Sequence, residues 1–405
     1  MMKKYNIIDL FSGCGGLLDG FLQSNLYNPV ASVEWELAPC NTLINRLKTK
    51  WNVTNADEEV IRFDIQRIEE LFNGYDDKKY GKSKGLNKII GKNKIDMIIG
   101  GPPCQAYSVA GRVSVDQKEK PDYRNYLFEY YMQIVERLQP KLFVFENVPG
   151  MLSAMPDGTP IIDLIKRDIN AKGYEIIGDI RKYAVLNAAD YNVPQNRKRV
   201  ILVGINKSYY PNADIQKVLK RFYEEILPSF KGDNIITVEQ AIADLPPCYP
   251  LFSEKRPSHT VPECNTTWHY SRFSSPRDVK IFQMLAEDIQ SGEMKFKDSE
   301  ILKKIYNETT GSNTNVHKYH VLLKNEPSTT VLAHLHKDGL RFIHYDPKQA
   351  RTITVREAAR LQSFDDDFDF IGSQGDAFKM IGNAVPPKFA LAISKAIDKM
   401  IKEDL

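Results

Sequence analysis

The sequence predicts an α/β protein in which an open, mostly parallel sheet is followed by a second, smaller domain. Short apolar runs at residues 5–10, 95–99 and 142–145 lead into glycines or polar residues, as buried parallel strands do. Helical patterns such as 127–138 lie between these runs, and the alternation indicates βαβ units. After about residue 206 the alternation is lost and prolines, aromatic and polar residues mix, which indicates a second domain.

The overall composition is that of an ordinary globular protein. The chain has 405 residues, enough for two domains with their own cores, and its net charge of +3 permits a nucleic-acid partner without demonstrating one. The five cysteines are an odd number without Cys-x-x-Cys spacing, which favours a reducing cytosol over a disulfide framework. No apolar run is long enough to cross a membrane, and Lys3-Lys4 leads into a strand rather than a signal-peptide core.

The first strand, over 5–10, is followed by a glycine turn at 11–16 and a helix over about 17–22. This order is typical of sites for nucleotide-type cofactors, because glycines let a ligand approach the backbone and helix-start amides favour negative charge. A second strand, over 29–33, ends in Glu34, whose carboxylate could accept hydrogen bonds from ribose hydroxyls. On spacing alone, a solvated surface glutamate is an equally good interpretation.

A third strand end is predicted at Phe63-Asp64-Ile65. Asp64 could reach an adenine amino group, or it could cap a helix over 66–71. Residues 78–94 then hold seven lysines, three glycines and no acidic residue, which predicts an exposed, mobile insertion. Such charge runs are usually only solvated, and contact with phosphates is the minority interpretation.

The strand over 95–99 leads through Gly-Gly-Pro-Pro to Cys104, at the end of the strand where open α/β sheets place their chemistry. Most free cysteines are small buried hydrophobes. Here the demanding Gly-Gly-Pro-Pro geometry and the polar groups of the following Gln-Ala-Tyr-Ser favour a nucleophile instead. The polar loop over 109–125 suggests a movable lid beside it.

Glu146 directly follows the four apolar residues 142–145. A charged group seldom occupies such a position without a partner, so Glu146 is a candidate proton donor. The alternative is a structural carboxylate that caps backbone amides, but the equivalent position of Cys104 on its own strand favours the functional interpretation.

Arg197 and Arg199 follow a polar stretch and precede the apolar run 200–203. Alternation along a strand would put both guanidiniums on one face, where they suit a phosphate, a carboxylate or a base carbonyl. An edge strand that carries solubilising charge is the alternative.

The second domain carries all seven histidines, between residues 259 and 344. Two closely spaced pairs, at 317–320 and 334–336, invite a metal interpretation, but no cysteine pair accompanies them and we expect no metal. The segment 268–278 mixes basic and aromatic groups, as nucleic-acid-facing surfaces do.

Near the carboxyl terminus, Thr354-Val-Arg-Glu357 predicts a capping box that opens a helix over 355–363. The segment 379–387, which contains Gly-Asn, predicts a turn before a closing helix that runs through Met400.

Taken in order, these motifs resemble the C5-cytosine DNA methyltransferases of the bacterial restriction–modification kind. The similarity runs from Phe-Ser-Gly-x-Gly-Gly through Glu-Trp, Pro-Pro-Cys-Gln, Glu-Asn-Val and Gln-x-Arg-x-Arg to Arg-Thr-Ile-Thr-x-Arg-Glu and Gly-Asn. The resemblance implies a Rossmann-like S-adenosylmethionine-dependent methyltransferase sheet in a catalytic domain over 1–205. It further implies a target-recognition domain over 206–345, then a hinge helix and a return to the catalytic domain over 346–405.

The resemblance also implies catalytic roles. Cys104 would be the nucleophile and Glu146 the partner of the base ring nitrogen. Arg197 and Arg199 would be the basic residues that steady the flipped nucleotide.

The resemblance further implies a cofactor site for S-adenosylmethionine, with S-adenosylhomocysteine as the product. Glu34 would bind the ribose, and Trp35 would lie against the adenine, which Asp64 and Ile65 would also meet. The full set implied for this site is Phe11, Gly13, Cys14, Gly15, Gly16, Glu34, Trp35, Asp64, Ile65, Gly101, Pro103, Leu127, Asn383 and Val385.

The partner that the resemblance implies is double-stranded DNA, methylated at C5 of a flipped-out cytosine through a covalent bond between Cys104 and C6. A restriction endonuclease acting on the same site without direct contact, a monomeric state and a cytoplasmic, nucleoid-associated location are further expectations.

Three alternatives compete with this function. The RNA-methylating branch, including tRNA methyltransferases, shares the catalytic constellation, but its usual Cys-Phe-Thr segment does not occur here and the region 206–345 is sizeable. A non-catalytic DNA-binding protein on a decayed fold is disfavoured by the intact catalytic motifs. A nicotinamide-dependent oxidoreductase is disfavoured because the first turn lacks the full Gly-x-Gly-x-x-Gly pattern and that chemistry has no need of Pro-Pro-Cys.

Overall fold

The computed structural model divides the chain into two compact units. One unit comprises residues 1–191, 198–233 and 385–405, and the other comprises 192–197 and 234–384. The units do not follow the expected domain limits, since 206–233 pack with the first unit and 346–384 with the second. The residues that the structure describes are 4–103, 127–155, 159–296, 298–311, 313–314, 318–337 and 339–405.

The first unit is built on a sheet with the strand order β3-β2-β1-β6-β7-β10-β8, and β9 pairs with β10. The strands β1, β2, β3, β6 and β7 are mutually parallel, whereas β10 runs antiparallel to β7. The open, mostly parallel sheet predicted from the sequence is therefore confirmed. The strands are β1 Tyr5–Leu10, β2 Tyr27–Glu34, β3 Val60–Arg62, β4 Tyr75–Asp77, β5 Gly81–Ser83, β6 Met97–Gly100, β7 Leu142–Asn147, β8 Tyr174–Glu175, β9 Val185–Asn187 and β10 Lys198–Asn206.

The central strands are mostly apolar and buried because helices cover the sheet. Ile8, Ile98 and Val144, on three neighbouring strands, are fully buried. On β2, the hydroxyl of Tyr27 donates to the carbonyl of Ser394 at 2.8 Å and ties the sheet to the last helix. The helices of this unit are Gly16–Gln23, Leu37–Thr49, Ala56–Glu59, Ile68–Asn73, Leu86–Ile90, Leu127–Leu138, Ile161–Ala171, Ile180–Tyr183, Ile215–Arg221 and Pro387–Asp404, with a π-helical turn at Phe222–Ile226.

The second unit has its own core, in which Val279, Phe282 and Leu285 of one helix pack with Tyr319 and Ile343. Its helices are Val238–Ile242, Pro276–Ser291, Ser299–Thr310, Val355–Leu361 and Gln374–Asn383.

Two expectations about the carboxyl-terminal part have different outcomes. The capping box of Thr354 and Glu357 is confirmed, and it opens the helix Val355–Leu361. The turn expected over 379–387 is wrong in its first half, because a helix that starts from a second capping box at Ser373 continues to Asn383.

The lysine-rich stretch 78–94 contains regular structure, which the sequence interpretation did not anticipate. Its lysines are exposed, as expected. However, β5 lies within the stretch and forms an antiparallel hairpin with β4, which directly precedes it, and the helix that follows buries Leu86 and Ile90. Leu86 and Ile90 are four residues apart on this helix and both face the core, whereas Ile89 is only partly buried.

Candidate active site

The sheet brings the carboxyl ends of β3, β2, β1, β6 and β7 to one edge in that order, because these strands are parallel neighbours. Each strand end carries residues that the sequence singled out. They are Asp64 and Ile65 after β3, Glu34 and Trp35 at the end of β2, residues 11–16 after β1, Gly101 and Pro103 after β6, and Glu146, the penultimate residue of β7. This edge of the first unit is therefore the candidate active site.

Glu34 fastens the end of β2 to the glycine turn. Its Oε2 accepts a hydrogen bond from the Gly13 N–H, and its Oε1 accepts from the N–H groups of Trp35 and Glu36, each at 2.9 Å. Burial raises the pKa of Glu34, and these three donors oppose the rise. A solvated surface glutamate is thus excluded, because the carboxylate is buried and oriented from three sides. Oε2, with one donor, keeps capacity for a further hydrogen bond.

The glycine turn combines an open position with a packed one. Gly13 has a φ of +54°, and a Cβ built there would meet nothing within 4 Å. Gly15 has a φ of +89°, and a Cβ there would lie 2.5 Å from Cδ1 of Leu43. Gly13 therefore leaves space for a ligand beside the backbone, whereas Gly15 allows the helix Leu37–Thr49 to pack closely.

The other residues of this turn, and Trp35 directly after β2, differ in exposure. Cys14 is buried, and burial raises the pKa of its thiol to about 12, so the thiol is a poor nucleophile at neutral pH. Gly16 is buried at the start of the helix Gly16–Gln23, and Phe11 has a φ of +58° in the left-handed region. Trp35 is 44% exposed, so its indole has a face available for contact.

Asp64 lies in a turn rather than at a helix start. Its Oδ1 accepts hydrogen bonds from the N–H of Gln66 at 3.1 Å and from Gln66 Nε2 at 3.3 Å. The helix expected over 66–71 begins at Ile68, with Arg67 at the cap position. The capping interpretation of Asp64 is therefore wrong, whereas neighbouring Ile65 is buried as expected for a pocket wall.

Glu146 meets the loop that precedes Cys104. A Cβ built on Gly101 would lie 2.7 Å from Oε2 of Glu146, so any larger residue there would push this carboxylate out of its present position. The side-chain amide of Asn147 donates to the carbonyl of Pro102 at 3.2 Å. The end of β7 thereby holds the Gly-Pro-Pro segment in place. Asn147 was missed as a site residue, although the Glu-Asn-Val motif contained it.

Arg199 forms an ion pair with Glu146. Its Nε lies 2.8 Å from Oε1, and both side chains are nearly buried, at 11% and 13% exposure. Burial lowers the pKa of the Arg199 guanidinium, and the Glu146 carboxylate counteracts this. Oε1 is thus committed to Arg199, and Oε2 is the oxygen that faces Gly101.

Arg197 has a different environment from Arg199. Burial alternates from Gln195 to Arg199, as expected for residues that share one side of an extended segment. Arg197 nevertheless precedes β10 and lies in the second unit, where it donates to the carbonyls of Val331 at 2.9 Å and Gly382 at 2.8 Å. Backbone carbonyls therefore bind the guanidinium of Arg197, whereas that of Arg199 pairs with Glu146, and the joint role of the two guanidiniums at a ligand stays a prediction.

The last predicted site residues are placed as follows. Leu127 is buried at the start of the helix Leu127–Leu138. Val385 is buried in the first unit, and Asn383 ends the helix Gln374–Asn383 in the second unit with its side chain exposed. Cys104 and the predicted lid over 109–125 lie outside the described residues.

The histidines of the second unit enter no metal cluster within the described ranges. No group of three His, Cys, Asp or Glu side chains comes together there, and His317 lies outside those ranges. His259, His269 and His344 are buried, and burial lowers the pKa of each imidazole. Among the described helices, none has the length and apolar character needed to span a membrane.

The chain is similar to known DNA methyltransferases over nearly its whole length. The family model for C-5 cytosine-specific DNA methylases matches residues 5–399. A type II methyltransferase of Bacillus paralicheniformis is 32% identical over 460 aligned positions, which cover 98% of this chain and 99% of the relative. One from Xanthomonas oryzae pv. oryzae is 30% identical over 408 positions, which cover 98% and 85% of the two chains.

Solved structures share the fold. A prophage-encoded Escherichia coli protein assigned as a DNA modification methyltransferase superposes with a TM-score of 0.62 at 24% identity, covering 99% of this chain and all of the other. The Dnmt2 methyltransferase of S. pombe superposes with a TM-score of 0.55 at 12% identity, covering 99% of each chain.

Proposed function

This chain belongs to the C-5 cytosine-specific DNA methylases, and we propose that the carboxyl edge of its first-unit sheet is where the residues named above carry out the reaction. The family's reaction is transfer of a methyl group from S-adenosylmethionine to C5 of cytosine in DNA. The observation that carries the residue assignment is the row of strand ends from Asp64 through Glu34 and Gly13 to Glu146.

The described residues fit S-adenosylmethionine. Gly13 leaves room beside the turn, Glu34 Oε2 can accept a further hydrogen bond, and Trp35 is exposed enough to cover a flat base. The carboxylate of Asp64, which the N–H of Gln66 orients, would accept a hydrogen bond from the adenine amino group. The other residues implied for the pocket would line it by contact.

The chemistry must overcome the weak nucleophilicity of cytosine C5. Addition of the Cys104 thiolate at C6 forms a covalent bond and makes the ring an enamine, so electron density reaches C5. Glu146, sharing a proton with N3, stabilises the charge that develops on the ring. S-adenosylmethionine, when bound, supplies the electrophilic methyl group. Loss of the C5 proton to a base and expulsion of the thiolate then restore the aromatic ring.

The ion pair with Arg199 suits Glu146 to this role. A guanidinium on Oε1 fixes the rotamer of the carboxyl group and leaves Oε2 directed toward the segment that leads to Cys104. Arg199 would thereby act on the flipped base through Glu146, and Arg197 would act by holding the second unit's backbone in shape.

The substrate is double-stranded DNA, and the target atom lies inside the base stack, so the cytosine is flipped out for reaction. We assign target recognition to residues within 206–345. A restriction endonuclease that cleaves the same sequence without contacting this chain, a monomeric enzyme and a cytoplasmic location at the nucleoid complete the proposal. The RNA alternative is not favoured, because the matching family and the relatives named above act as DNA or type II methyltransferases.

The proposal is tested by transfer of label from methyl-tritiated S-adenosylmethionine, with unmethylated duplex DNA and total RNA offered in parallel. We expect label in DNA as 5-methylcytosine, and none with Cys104→Ser. Label only in RNA, or retained turnover in Cys104→Ser, would contradict it.

A further inference from the structure

We propose that the lysine-rich hairpin formed by β4 and β5 is a brace that positions Asp64 and Ile65 for the adenine of S-adenosylmethionine. The inference rests on the proposed cofactor site. The hairpin, residues 75–83, packs against the segment 62–67, which contains both adenine-facing residues.

Aromatic contacts join the hairpin to Phe63, the residue immediately before Asp64. The ring of Tyr75 stacks on Phe63 with centroids 3.8 Å apart and an interplanar angle of 14°. The ring of Tyr80 meets Phe63 edge-on at 5.3 Å, and the Arg67 guanidinium lies 4.6 Å from its centroid. Phe63 is only 1% exposed as a result, so its backbone has one well-packed position.

Hydrogen bonds hold the segment on both sides of Asp64. Before it, the Tyr75 hydroxyl donates to the carbonyl of Arg62 at 2.8 Å, and Arg62 Nη1 donates to the carbonyl of Lys79 at 2.9 Å. After it, Arg67 Nη1 pairs with Asp77 Oδ2 at 2.7 Å.

The turn between these anchors sets the direction of the carboxylate. The N–H of Arg67 donates to the carbonyl of Asp64 at 3.0 Å, and Asp64 Oδ1 accepts from Gln66. Because Arg62 and Arg67 are both fixed by the hairpin, the turn that aims Asp64 is fixed too. If the hairpin were loosened, the site would lose more of its affinity for the adenine group than of its affinity for the rest of the cofactor.

The competing role for this hairpin is contact with DNA phosphates. Two of its lysines are engaged within the hairpin: Lys82 pairs with Asp76 at 3.3 Å, and Lys79 Nζ donates to the Tyr80 hydroxyl at 2.9 Å. Directly after the hairpin, Lys84 pairs with Glu58 at 2.5 Å. These contacts within the chain favour a structural role for the hairpin over contact with DNA phosphates.

The test compares the affinity of the full chain for S-adenosylhomocysteine with that for its inosine counterpart, which lacks the adenine amino group. Calorimetry on wild type should show a preference of about tenfold or more for the adenine form, the value of a hydrogen bond to a charged acceptor. In Arg67→Ala this preference should fall toward unity, and Arg67→Lys should recover part of it. Lys82→Ala, a hairpin change whose ion pair stays within the hairpin, should keep the wild-type preference.

Two results would overturn the brace: an Arg67→Ala variant that keeps the full adenine preference, even with a lowered melting temperature, or one that loses only DNA affinity. Failure of wild type to bind S-adenosylhomocysteine would instead refute the cofactor site itself. The two failures are therefore distinguishable.

Discussion

At the residue scale, two glutamates at the carboxyl edge of the sheet, one on β2 and one on β7, have different roles because their hydrogen-bond donors differ. Glu34 accepts three backbone N–H groups, which bind the glycine turn to β2. Glu146 instead accepts a guanidinium on one oxygen and faces Gly101 with the other. The sequence could place both acids at strand ends, because apolar runs mark buried strands. It could not reveal the donors, which come from residues distant in the chain or from backbone amides.

The raised pKa of Glu34 predicts that cofactor affinity depends on pH. Burial raises this pKa above its ordinary 4.5, so Glu34 takes up a proton at a higher pH than an exposed glutamate. The protonated carboxyl loses acceptor capacity for the ribose. Affinity for S-adenosylhomocysteine should therefore fall as the pH is lowered from neutrality into the acid range, at a higher pH than an exposed glutamate would dictate, as measured by calorimetry. Glu34→Gln should bind weakly at every pH, and a wild-type affinity that stays constant over this range would contradict the assignment.

At the scale of single elements, the sequence predicts the structures that depend on local chemistry but not those that depend on tertiary contacts. The strand, glycine turn and helix at the amino terminus and the Thr354–Glu357 capping box follow from local rules. The hairpin of β4 and β5 depends on the stacking of Tyr75 on Phe63, a tertiary contact. The lysine-rich composition of the following residues gave no sign of this hairpin. Arg197 shows the same limit, because spacing predicts its buried side but not the carbonyls it meets there.

The helix Gln374–Asn383 offers a matched pair of glycines for a stability test. A Cβ on Gly382 would lie 2.3 Å from the backbone of Leu332 and Ala333, so Gly382→Ala forces two backbone segments apart. We expect a loss of about 3 kcal/mol in unfolding free energy. A Cβ on Gly375 would meet only Ser373 Oγ at 3.6 Å, and Gly375→Ala should be neutral or stabilising by about 0.5 kcal/mol.

Urea unfolding of both variants measures the difference. Equal stabilities of Gly382→Ala and Gly375→Ala would show that the helix does not approach the 332–333 backbone as described.

At the scale of the whole molecule, each unit buries an ion pair within a largely apolar interior. In the first unit, Arg46 Nε lies 2.7 Å from Asp19 Oδ1, and both side chains are buried. The second unit buries an ion pair, Arg351 with Glu357, and His344 lies 3.6 Å from the same carboxylate. Sequence composition indicated a change after residue 206 but could not indicate that each compact unit is built from separate stretches of the chain. Which stretch belongs to which unit is decided by tertiary packing.

This buried network predicts that acid weakens the second unit. Burial and the nearby Arg351 lower the pKa of His344 to about 4, against 6.5 for an ordinary histidine. Burial alone would raise the pKa of Glu357, but Arg351 outweighs it and holds the pKa at about 2. At both groups the unfolded chain takes up its proton at a higher pH than the folded protein does. The free energy of unfolding therefore falls as the pH drops from 6.5 toward 4, because of His344, and falls further below pH 4.5, because of Glu357. The histidine accounts for about 3 kcal/mol of this loss.

Urea unfolding followed by the emission of Trp268, with Trp35 and Trp51 replaced by phenylalanine, reports on the second unit. His344→Gln cannot take up the proton and should flatten the decline between about pH 6.5 and about pH 4.5. An unchanged slope in that variant would contradict the account of the network.

The most direct test of the whole account is covalent capture on duplex DNA in which every cytosine is replaced by 5-fluorocytosine, with S-adenosylmethionine present. Fluorine at C5 cannot leave as a proton does, so an enzyme that attacks C6 through sulfur stays attached to the DNA. We predict a denaturant-resistant adduct whose modified peptide contains Cys104, and none with Cys104→Ser. An adduct at another residue, or one that persists in Cys104→Ser, would contradict the proposed nucleophile and the site built around it.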